Sequence, residues 1–423
     1  LIGVIAGPRV FVPIVGIPAL LGLGVVLQKR MAGATIDAQA DSSLQHSVLV
    51  ESISAIETLK AARAEGQMLG RWRRYSAMSA ATQEKLRRLT AVAVNMASIC
   101  QQAISVGLVV GGFYLFNNGD ITMGAIIAIV MLAGRAMAPI GQFAFLLTRG
   151  KQSMTTLDSL QRMMEANDER QVAARSIVPE IRAGHLELKH ANFRYPGASV
   201  DSLNSVNLKI EPGERIAIIG RVAWGKSTLG RLMCGLSAPT DGEMLVDGLD
   251  SRQYHPHQLR EAFRYVGQDA ELFSGTVRDN LMLGAARADD QQLIDAVVRS
   301  GADIFLSRDA AGFDRPVGER GALLSGGQRS LLVLARALVS PSKLLFLDEP
   351  TGAMDTQTEL YFIEKLRTAL AREQTLVVST HRHNMLSICE RLVVIDAGRI
   401  VADGPRDEVL ARLKAMGKKE ASE

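Results

Sequence analysis

Long apolar segments alternate with short polar connections over the first third of the chain. Residues 1–27 are almost wholly apolar, and the part from Val10 to Leu27 has about the length needed to cross a bilayer. Leu89–Phe116 and Ile121–Leu147 are two further segments of this kind, joined by the polar turn Asn117–Asp120. The pattern predicts a short stub followed by three membrane-crossing helices.

The charges at the ends of these segments predict their orientation. Between the first two crossings, Thr35–Arg88 is polar, with apolar residues at helical spacing. Basic residues lie at one set of ends, whereas the Asn117–Asp120 turn has none; they are Lys29, Arg30, Lys85, Arg87, Arg88, Arg149 and Lys151. The positive-inside rule places these ends in the cytoplasm. Arg135, inside the third crossing, is either functional or a side chain that extends to the inner face.

The remaining sequence predicts a second, water-soluble domain. Residues 161–184 become charged and contain Pro179 and Gly184, which is typical of a linker. Strand-like and helix-like patterns then alternate over 185–413 and predict an α/β domain with a largely parallel sheet. We divide the chain into a membrane region at 1–160, this linker, the domain at 185–413 and a charged tail at 414–423, for which we expect disorder.

Composition excludes several other classes of protein. The net charge of +4 is small for 423 residues, so charge gives no reason to expect a nucleic-acid partner. Three widely spaced cysteines, Cys100, Cys234 and Cys389, favour neither a disulfide framework nor a zinc site. The chain begins with Leu inside an apolar run, and we therefore expect it to be N-terminally truncated.

A phosphate-binding loop is predicted at Gly220–Thr228. The β-branched run Arg215–Ile219 predicts a buried strand, and a helix is predicted to open by Leu229. Glycines at both ends of the loop, followed by Lys226 and Ser227, fit a nucleotide phosphate site. The loop N–H groups and the helix N-terminus would bind phosphates, Lys226 would add charge, and the Ser227 hydroxyl would bind Mg²⁺. The alternative is a structural strand-to-helix junction with a surface lysine.

Two further apolar strands end in groups suited to phosphoryl transfer. Leu344–Leu347 delivers Asp348 for Mg²⁺ and Glu349 to orient or deprotonate a water molecule. Thr375–Ser379 delivers His381, which can contact a γ-phosphate. Taken singly, Gln268 and His381 are weak signals, because each is more often a structural residue.

A glycine-rich segment precedes a strongly predicted helix. In Leu324–Gln328, read as LSGGQ, Ser325 can cap the helix Arg329–Val339, and the two glycines leave its N-terminus accessible to an anion. Because this segment cannot share one loop with Lys226, we interpret it as a second nucleotide contact, supplied by a partner chain.

These motifs, in this order, resemble the ATP-binding cassette family. The phosphate loop, Gln268, LSGGQ, Asp348-Glu349, Asp355 and His381 follow the family's sequence, and LSGGQ is close to diagnostic of it. The resemblance covers nearly all of 185–413, and the membrane half is similar to the last spans of an ABC exporter. Softer motifs, ESISAIETLKAARAE and LAGRAMAPIGQFAFLLTR, resemble type I secretion ATPases of Gram-negative bacteria. The implied fold is a helical transmembrane region followed by an α/β P-loop ATPase domain with a helical subdomain.

The resemblance also implies roles for individual residues. Tyr195 stacks on adenine; Glu349 is the general base; His381 contacts the γ-phosphate; Ser227, Gln268 and Asp348 bind Mg²⁺. The nucleotide-binding set is Tyr195, Gly220, Arg221, Val222, Ala223, Trp224, Gly225, Lys226, Ser227, Thr228, Ser325, Gly326, Gly327, Gln328 and Asp355. Ser325, Gly327 and Gln328 act on ATP bound to the other protomer, and Ala61–Trp72 docks on the partner's ATPase domain. An exposed basic face at Arg71–Arg73 is the alternative to docking.

Two residues depart from the family pattern. Ala223 and Trp224 stand where the family usually has Gly-Ser. If position 223 needs a left-handed backbone, alanine costs about 1–2 kcal/mol there. Trp224 puts a large ring in place of a small polar side chain, and we expect weaker nucleotide binding or weaker closure of the dimer. The alternative is that Trp224 points to solvent and changes little.

Two main functional hypotheses follow. The first is an ATP-hydrolysing exporter subunit, acting as a homodimer with ATP and Mg²⁺ in the bacterial inner membrane and exporting a protein or peptide. Its partners would be membrane lipid, a periplasmic adaptor and an outer-membrane channel, with no nucleic acid. The second is a catalytically impaired nucleotide-binding partner subunit; export of a lipid or small molecule is a further alternative. The apolar segments oppose a soluble ABC ATPase, and we expect no transport by this chain alone.

Overall fold

The computed structural model describes residues 11–165, 180–283, 285 and 287–420. The chain divides into two compact units, Leu1–Ala166 and Asn167–Glu423, and each is described by itself. Most of the predicted linker at 161–184 lies outside the described residues, so its boundaries stay a prediction.

The first unit consists of helices. They are α1 (Phe11–Ser54), α2 (Ile56–Ala61), α3 (Glu65–Asn117) and α4 (Met123–Met164). The break between α2 and α3 contains Arg63, whose φ of +52° cannot continue a helix. The predicted turn after residue 116 is confirmed, because α3 ends at Asn117 and Thr122 caps α4 by accepting a hydrogen bond from the Ala125 N–H.

One helix of the described residues, α3, is long and apolar enough to cross a membrane. Its apolar side chains at Val106, Val110 and Phe113 are exposed in this chain, which suits contact with lipid. Met123–Leu132 forms a shorter apolar segment of α4. Most side chains of the other two predicted crossings lie outside the described residues, whereas Arg135 is described and exposed.

A six-stranded, mainly parallel sheet forms the centre of the second unit, as predicted. Its order is β10-β9-β3-β8-β7-β6, and only β10 runs antiparallel. The strands are β3 (Arg215–Ile219), β6 (Phe263–Val266), β7 (Leu344–Asp348), β8 (Thr375–Ser379), β9 (Arg391–Asp396) and β10 (Arg399–Pro405). Strands β3 and β8 have the predicted bounds. The apolar runs arise because these central strands are buried on both faces.

A second, antiparallel sheet was not predicted in detail. It has the order β2-β1-β4-β5, with β1 (Leu186–Phe193), β2 (Leu203–Ile210), β4 (Asp241–Val246) and β5 (Leu249–Asp250). Its pairing shifts register within β1, where His190 has a φ of +48°. Such bulges interrupt the strict alternation of polar and apolar residues that marks a half-buried strand.

Helices cover the sheets of the second unit. They are α5 (Lys226–Met233), α6 (Pro256–Ala262), α7 (Val277–Met282), α8 (Asp290–Ser300), α9 (Asp303–Leu306), α10 (Gly326–Leu338), α11 (Thr356–Ala369) and α12 (Arg406–Glu420). The expected disordered tail differs from the structure, because α12 continues to Glu420. Acidic Asp407 and Glu408 in its first turn favour the helix.

Helix α5 packs directly on the central strand β7. A Cβ atom at Gly230 would lie 2.3 Å from the Phe346 ring, so only glycine permits this approach. The contact brings the phosphate loop, which immediately precedes α5, close to the carboxyl end of β7.

Candidate nucleotide site

The phosphate loop has the predicted strand-loop-helix form. Strand β3 ends at Ile219, and α5 begins at Lys226, three residues before the predicted opening at Leu229. Gly225 precedes the helix with a φ of +96°, and a Cβ atom there would lie 2.8 Å from the Ser202 carbonyl oxygen. This position therefore requires glycine. The N–H groups at the start of α5 have no intrahelical acceptor, which makes the loop suitable for an anion.

Lys226 is buried and folds over its own loop. Its Nζ donates hydrogen bonds to the carbonyl oxygens of Gly220 (2.7 Å) and Arg221 (3.2 Å) and lies 3.1 Å from His381 Nε2. Burial lowers the pKa of Lys226, and the nearby carboxylates of Glu349 and Asp348 oppose that shift. The Lys226 ammonium group thus lies between the phosphate loop and the carboxylates of Asp348 and Glu349.

Asp348 and Glu349 lie at the carboxyl end of β7 in different surroundings. Asp348 is buried, and its carboxylate accepts hydrogen bonds from the Tyr265 hydroxyl (2.8 Å) and the Ser379 hydroxyl. Glu349 has a φ of +47°, a strained backbone for a residue with a side chain. It turns its carboxylate towards His381.

His381 contacts both Lys226 and Glu349. Its Nε2 is 3.2 Å from Glu349 Oε1, and its backbone N–H donates to Glu349 Oε2 at 3.3 Å. An unprotonated Nε2 can accept from Lys226, whereas a protonated Nε2 can donate to Glu349, so the two contacts require opposite states of this atom. The structure therefore brings together three of the predicted catalytic residues.

Gln268 is exposed on the loop after β6. It lines a cavity of about 340 Å³ together with Glu349 and Gly326. Because Val266 pairs with Leu347 in the parallel sheet, Gln268 and Asp348 lie at the same edge. Ser227 is half-buried in the first turn of α5. In the residues that the structure describes, no hydrogen bond joins Ser227, Gln268 and Asp348 to one another.

Tyr195, predicted to stack on adenine, lies beside α5. Its hydroxyl is 3.2 Å from Thr228 Oγ1 and accepts a hydrogen bond from Arg231 Nη1 at 3.2 Å. Its ring is half-buried and meets Phe193 edge-on at 4.9 Å between centroids. The residue is thus held next to the phosphate loop at its hydroxyl end.

The two departures from the family pattern have structural consequences. Ala223 has a φ of +67°, so the left-handed backbone does occur at this position. Trp224 is half-buried and packs against the apolar cluster around β1 and α5, while the Arg221 guanidinium lies 5.1 Å from its ring centre. The alternative in which Trp224 points to solvent is wrong.

Ser325 caps α10, as predicted. Its hydroxyl accepts from the Gln328 N–H (3.3 Å), and Gln328 Oε1 accepts from the Ser325 N–H (3.0 Å), which forms a capping box. The helix begins at Gly326, earlier than the predicted Arg329. Gly326 lies close to Ala353, in the loop that leads to Asp355.

Asp355 caps α11. Its carboxylate accepts from the Thr358 N–H (2.9 Å) and hydroxyl (2.8 Å), and the backbone hydrogen bond lowers the pKa of Asp355. Its side chain therefore has a structural partner within its own chain.

Sequence reasoning missed a polar cluster around the buried carboxylate of Glu359, beside the site. Glu359, on α11, accepts from the Thr351 hydroxyl (3.2 Å), Arg382 Nη1 (3.2 Å) and Asn384 Nδ2 (3.1 Å). Arg382 also donates to the carbonyl oxygen of Met354 at 3.0 Å. The only sequence signal was the position of Arg382 directly after His381. The cluster ties the loop before Asp355 to the loop that contains His381.

Comparison with known families identifies both units. A family model described as ABC transporter matches residues 203–352, and one described as ABC transporter transmembrane region matches residues 1–140. The chain belongs to the ABC transporter family, with its membrane region followed by its ATPase domain. Tyr195, Asp355 and His381 lie outside the two matched ranges.

Within this family, the chain is similar to proteins that are described as toxin export or translocation ATP-binding proteins. The chain is 32% identical over 391 residues to the leukotoxin export ATP-binding protein LtxB of Aggregatibacter actinomycetemcomitans, which covers 92% of this chain and 54% of that protein. It is 32% identical over 368 residues to the alpha-hemolysin translocation ATP-binding protein HlyB of Escherichia coli O157:H7, covering 87% and 52%. The chain thus spans about half the length of these relatives.

A solved structure shares the fold. The structure of a bacterial Atm1-family ABC exporter with ATP bound superposes with a TM-score of 0.89 at 23% identity, covering 97% of this chain and 73% of that one. The predicted fold class, a helical membrane region followed by an α/β ATPase domain, is confirmed.

Proposed function

We propose that this chain is the ATP-hydrolysing subunit of an ABC exporter and that two copies work together. The observation that supports this most strongly is the contact of one side chain, His381, with both Lys226 and Glu349 at the carboxyl edge of the parallel sheet. Ligands of open α/β sheets bind beyond this edge. A cation, a histidine and a carboxylate placed there fit the hydrolysis of a nucleotide γ-phosphate.

In this proposal, the phosphate loop binds the nucleotide. The N–H groups at the start of α5 donate to phosphate oxygens, and the Lys226 ammonium leaves the carbonyl oxygens of Gly220 and Arg221 for the β- and γ-phosphates. Tyr195 and the loop residues 220–228 complete the site on this chain. Asp355, which caps its own helix, is a further member of the proposed nucleotide-binding set.

The residues at the site fit Mg²⁺. Ser227, Gln268 and Asp348 offer only oxygen ligands, which this ion prefers. The two hydroxyl donors at Asp348 use about half of the lone-pair positions of its carboxylate, so the others stay available. When bound, Mg²⁺ neutralises charge on the phosphates.

Glu349 and His381 act on the attacking water and on the γ-phosphate. The Glu349 carboxylate accepts the proton of the water molecule, and the contact of its Oε2 with the His381 N–H orients it. His381 Nε2, which lies between Lys226 and Glu349, contacts the γ-phosphate.

The second copy completes the site. Ser325, Gly326, Gly327 and Gln328 lie at the N-terminus of α10, where the bare backbone can bind the phosphates of ATP held by the partner. Closure of the two ATPase domains over two ATP molecules then moves the membrane helices. In the partner, the break between α2 and α3 within Ala61–Trp72 provides the docking contact.

We propose that the exported substrate is a protein or peptide. The similarity to proteins described as leukotoxin export and alpha-hemolysin translocation ATP-binding proteins supports this class. The setting would be the bacterial inner membrane, with the ATPase domain in the cytoplasm and with a periplasmic adaptor and outer-membrane channel as further partners. Export of a lipid or small molecule is the alternative, and no nucleic acid takes part.

A specific observation favours the second candidate, an impaired nucleotide-binding subunit. Ala223 holds a left-handed backbone, and Trp224 fixes a large ring within the phosphate loop. We expect the double change Ala223→Gly and Trp224→Ser to raise ATP hydrolysis several-fold, because it removes about 1–2 kcal/mol of backbone strain and the bulk of the ring. Phosphate release from the chain in lipid vesicles measures the effect.

The two candidates predict different outcomes of this experiment. ATP hydrolysis by the unchanged chain supports the exporter subunit. A higher rate of hydrolysis in the double variant supports the inference that Ala223 and Trp224 weaken the phosphate loop. Activity only after the double change would favour the impaired subunit. Absence of hydrolysis in both proteins would contradict an ATPase.

A further inference from the structure

Tyr265 is a half-buried side chain that the proposed reaction does not use. It lies on β6, next to β7 in the sheet, and its ring stacks on Phe346 with 5.5 Å between centroids. Its hydroxyl donates to Asp348 Oδ2 at 2.8 Å. Because a carboxylate oxygen can only accept, the Tyr265 hydroxyl is the donor of this hydrogen bond.

A second hydroxyl holds the other carboxylate oxygen of Asp348. Ser379, at the end of β8, donates to Oδ1, while Tyr265 donates to Oδ2. The two donors come from the strands on either side of β7 and fix the carboxylate from both sides. Both are neutral, so they orient Asp348 without cancelling the negative charge that attracts a cation.

Arg231 is a cation close to both Tyr195 and Tyr265. From α5, its Nη1 donates to the Tyr195 hydroxyl at 3.2 Å. Its guanidinium also lies close enough to Tyr265 to interact with it electrostatically. Arg231 therefore lies near two hydrogen-bonded pairs, its own with Tyr195 and that of Tyr265 with Asp348.

We propose that Tyr265 is a positioning residue for the divalent cation of MgATP. Its hydroxyl holds the Asp348 carboxylate in the orientation that binds the ion, and the Ser379 hydroxyl does the same from the other side. This inference rests on the proposed function, because it assumes that ATP and Mg²⁺ occupy the site. Packing of the Tyr265 ring on Phe346 is a separate, structural contribution that a phenylalanine would keep.

The test separates nucleotide binding from metal binding. ATP binding to the full chain is measured by equilibrium dialysis in the Glu349→Gln background, first in EDTA and then over a Mg²⁺ titration. We expect Tyr265→Phe to raise the Mg²⁺ concentration for half-maximal enhancement of binding about 10-fold, the usual effect of losing a residue that orients a metal ligand. ATP binding in EDTA should change less than about 2-fold, because the phosphate loop is intact.

Tyr254→Phe is the matched control. Tyr254 is buried, and its hydroxyl donates to the Val246 carbonyl oxygen at 2.9 Å, so the control loses a tyrosine hydroxyl hydrogen bond elsewhere in the unit. It should leave both measurements unchanged. Ser379→Ala tests the other donor and should shift the Mg²⁺ titration in the same direction, even if Tyr265→Phe does not fold.

The possible failures are distinguishable. An unchanged Mg²⁺ titration in Tyr265→Phe and Ser379→Ala would overturn the inference while leaving the proposed ATPase intact. Equal loss of ATP binding with and without Mg²⁺ would also overturn it, because it would show a general role in the nucleotide site. If the Glu349→Gln parent itself bound no ATP, the proposed function would fail and the inference with it.

Discussion

ATP hydrolysis should fall at least about 100-fold when Glu349 is replaced by glutamine, because an amide cannot accept the proton of the attacking water. In the unchanged chain, the His381 N–H donates a hydrogen bond to Glu349 Oε2 at 3.3 Å. Glutamine has nearly the same shape as glutamate, and its side-chain oxygen can still accept this hydrogen bond. The loop around Lys226 is unaffected, so ATP binding should persist. Phosphate release and ATP binding, measured on the same preparation, check both parts.

Glu364→Gln is the control for this variant. Glu364 is an exposed carboxylate on α11 whose closest cation, on Arg367, lies 3.8 Å away. Its replacement should change hydrolysis by less than about 2-fold. Hydrolysis by Glu349→Gln within 3-fold of the unchanged chain would remove Glu349 as the general base.

The second large effect is expected from Glu359→Ala. Glu359 is 2% exposed and accepts hydrogen bonds from Thr351, Arg382 and Asn384. Removing one partner of a buried ion pair costs about 3–5 kcal/mol, and the low end applies here because the Arg382 side chain is 34% exposed. A loss of about 3 kcal/mol should lower the unfolding temperature of the ATPase unit by about 6–12 °C.

The same variant should also lower ATP hydrolysis. Arg382 donates to the carbonyl oxygens of Gly352 and Met354, so the cluster holds the loop that contains Asp355 beside the loop of His381. Thermal unfolding followed by circular dichroism, together with phosphate release, measures both effects. Glu364→Ala, at an exposed position of the same helix, should shift the unfolding temperature by less than about 1 °C. A similar small shift in Glu359→Ala would contradict the structural role of the cluster.

The central sheet could be predicted from the sequence because its strands are short apolar runs with polar ends. Arg215–Ile219 and Thr375–Ser379 are strands with the predicted bounds, and Leu344–Leu347 extends by one residue to Asp348. A strand that is buried on both faces is apolar at every position, so a short apolar run with polar ends indicates such a strand. The antiparallel sheet was missed because a bulge near His190 breaks its alternation.

The sequence predicts that the site residues lie close together, but it does not predict how their side chains are oriented. Strand ends at one edge of a parallel sheet bring Asp348 and His381 together whatever the side-chain details. That Lys226 binds the carbonyl oxygens of its own loop, and that Trp224 packs inwards, depends on local packing that spacing does not encode. The hydrogen bond from Tyr265 to Asp348 joins residues 83 positions apart and left no local signal.

Cross-linking tests most directly whether ATP lies between two copies of the chain. Val222→Cys is placed in one tagged copy and Ser325→Cys in a differently tagged copy, because both positions are exposed. Cys100→Ser removes the half-buried native thiol, while Cys234 and Cys389 are buried. In the Glu349→Gln background, a disulfide that joins the two tags should form with ATP and not without it. No cross-link with ATP, or one formed within a single copy that contains both cysteines, would contradict the account.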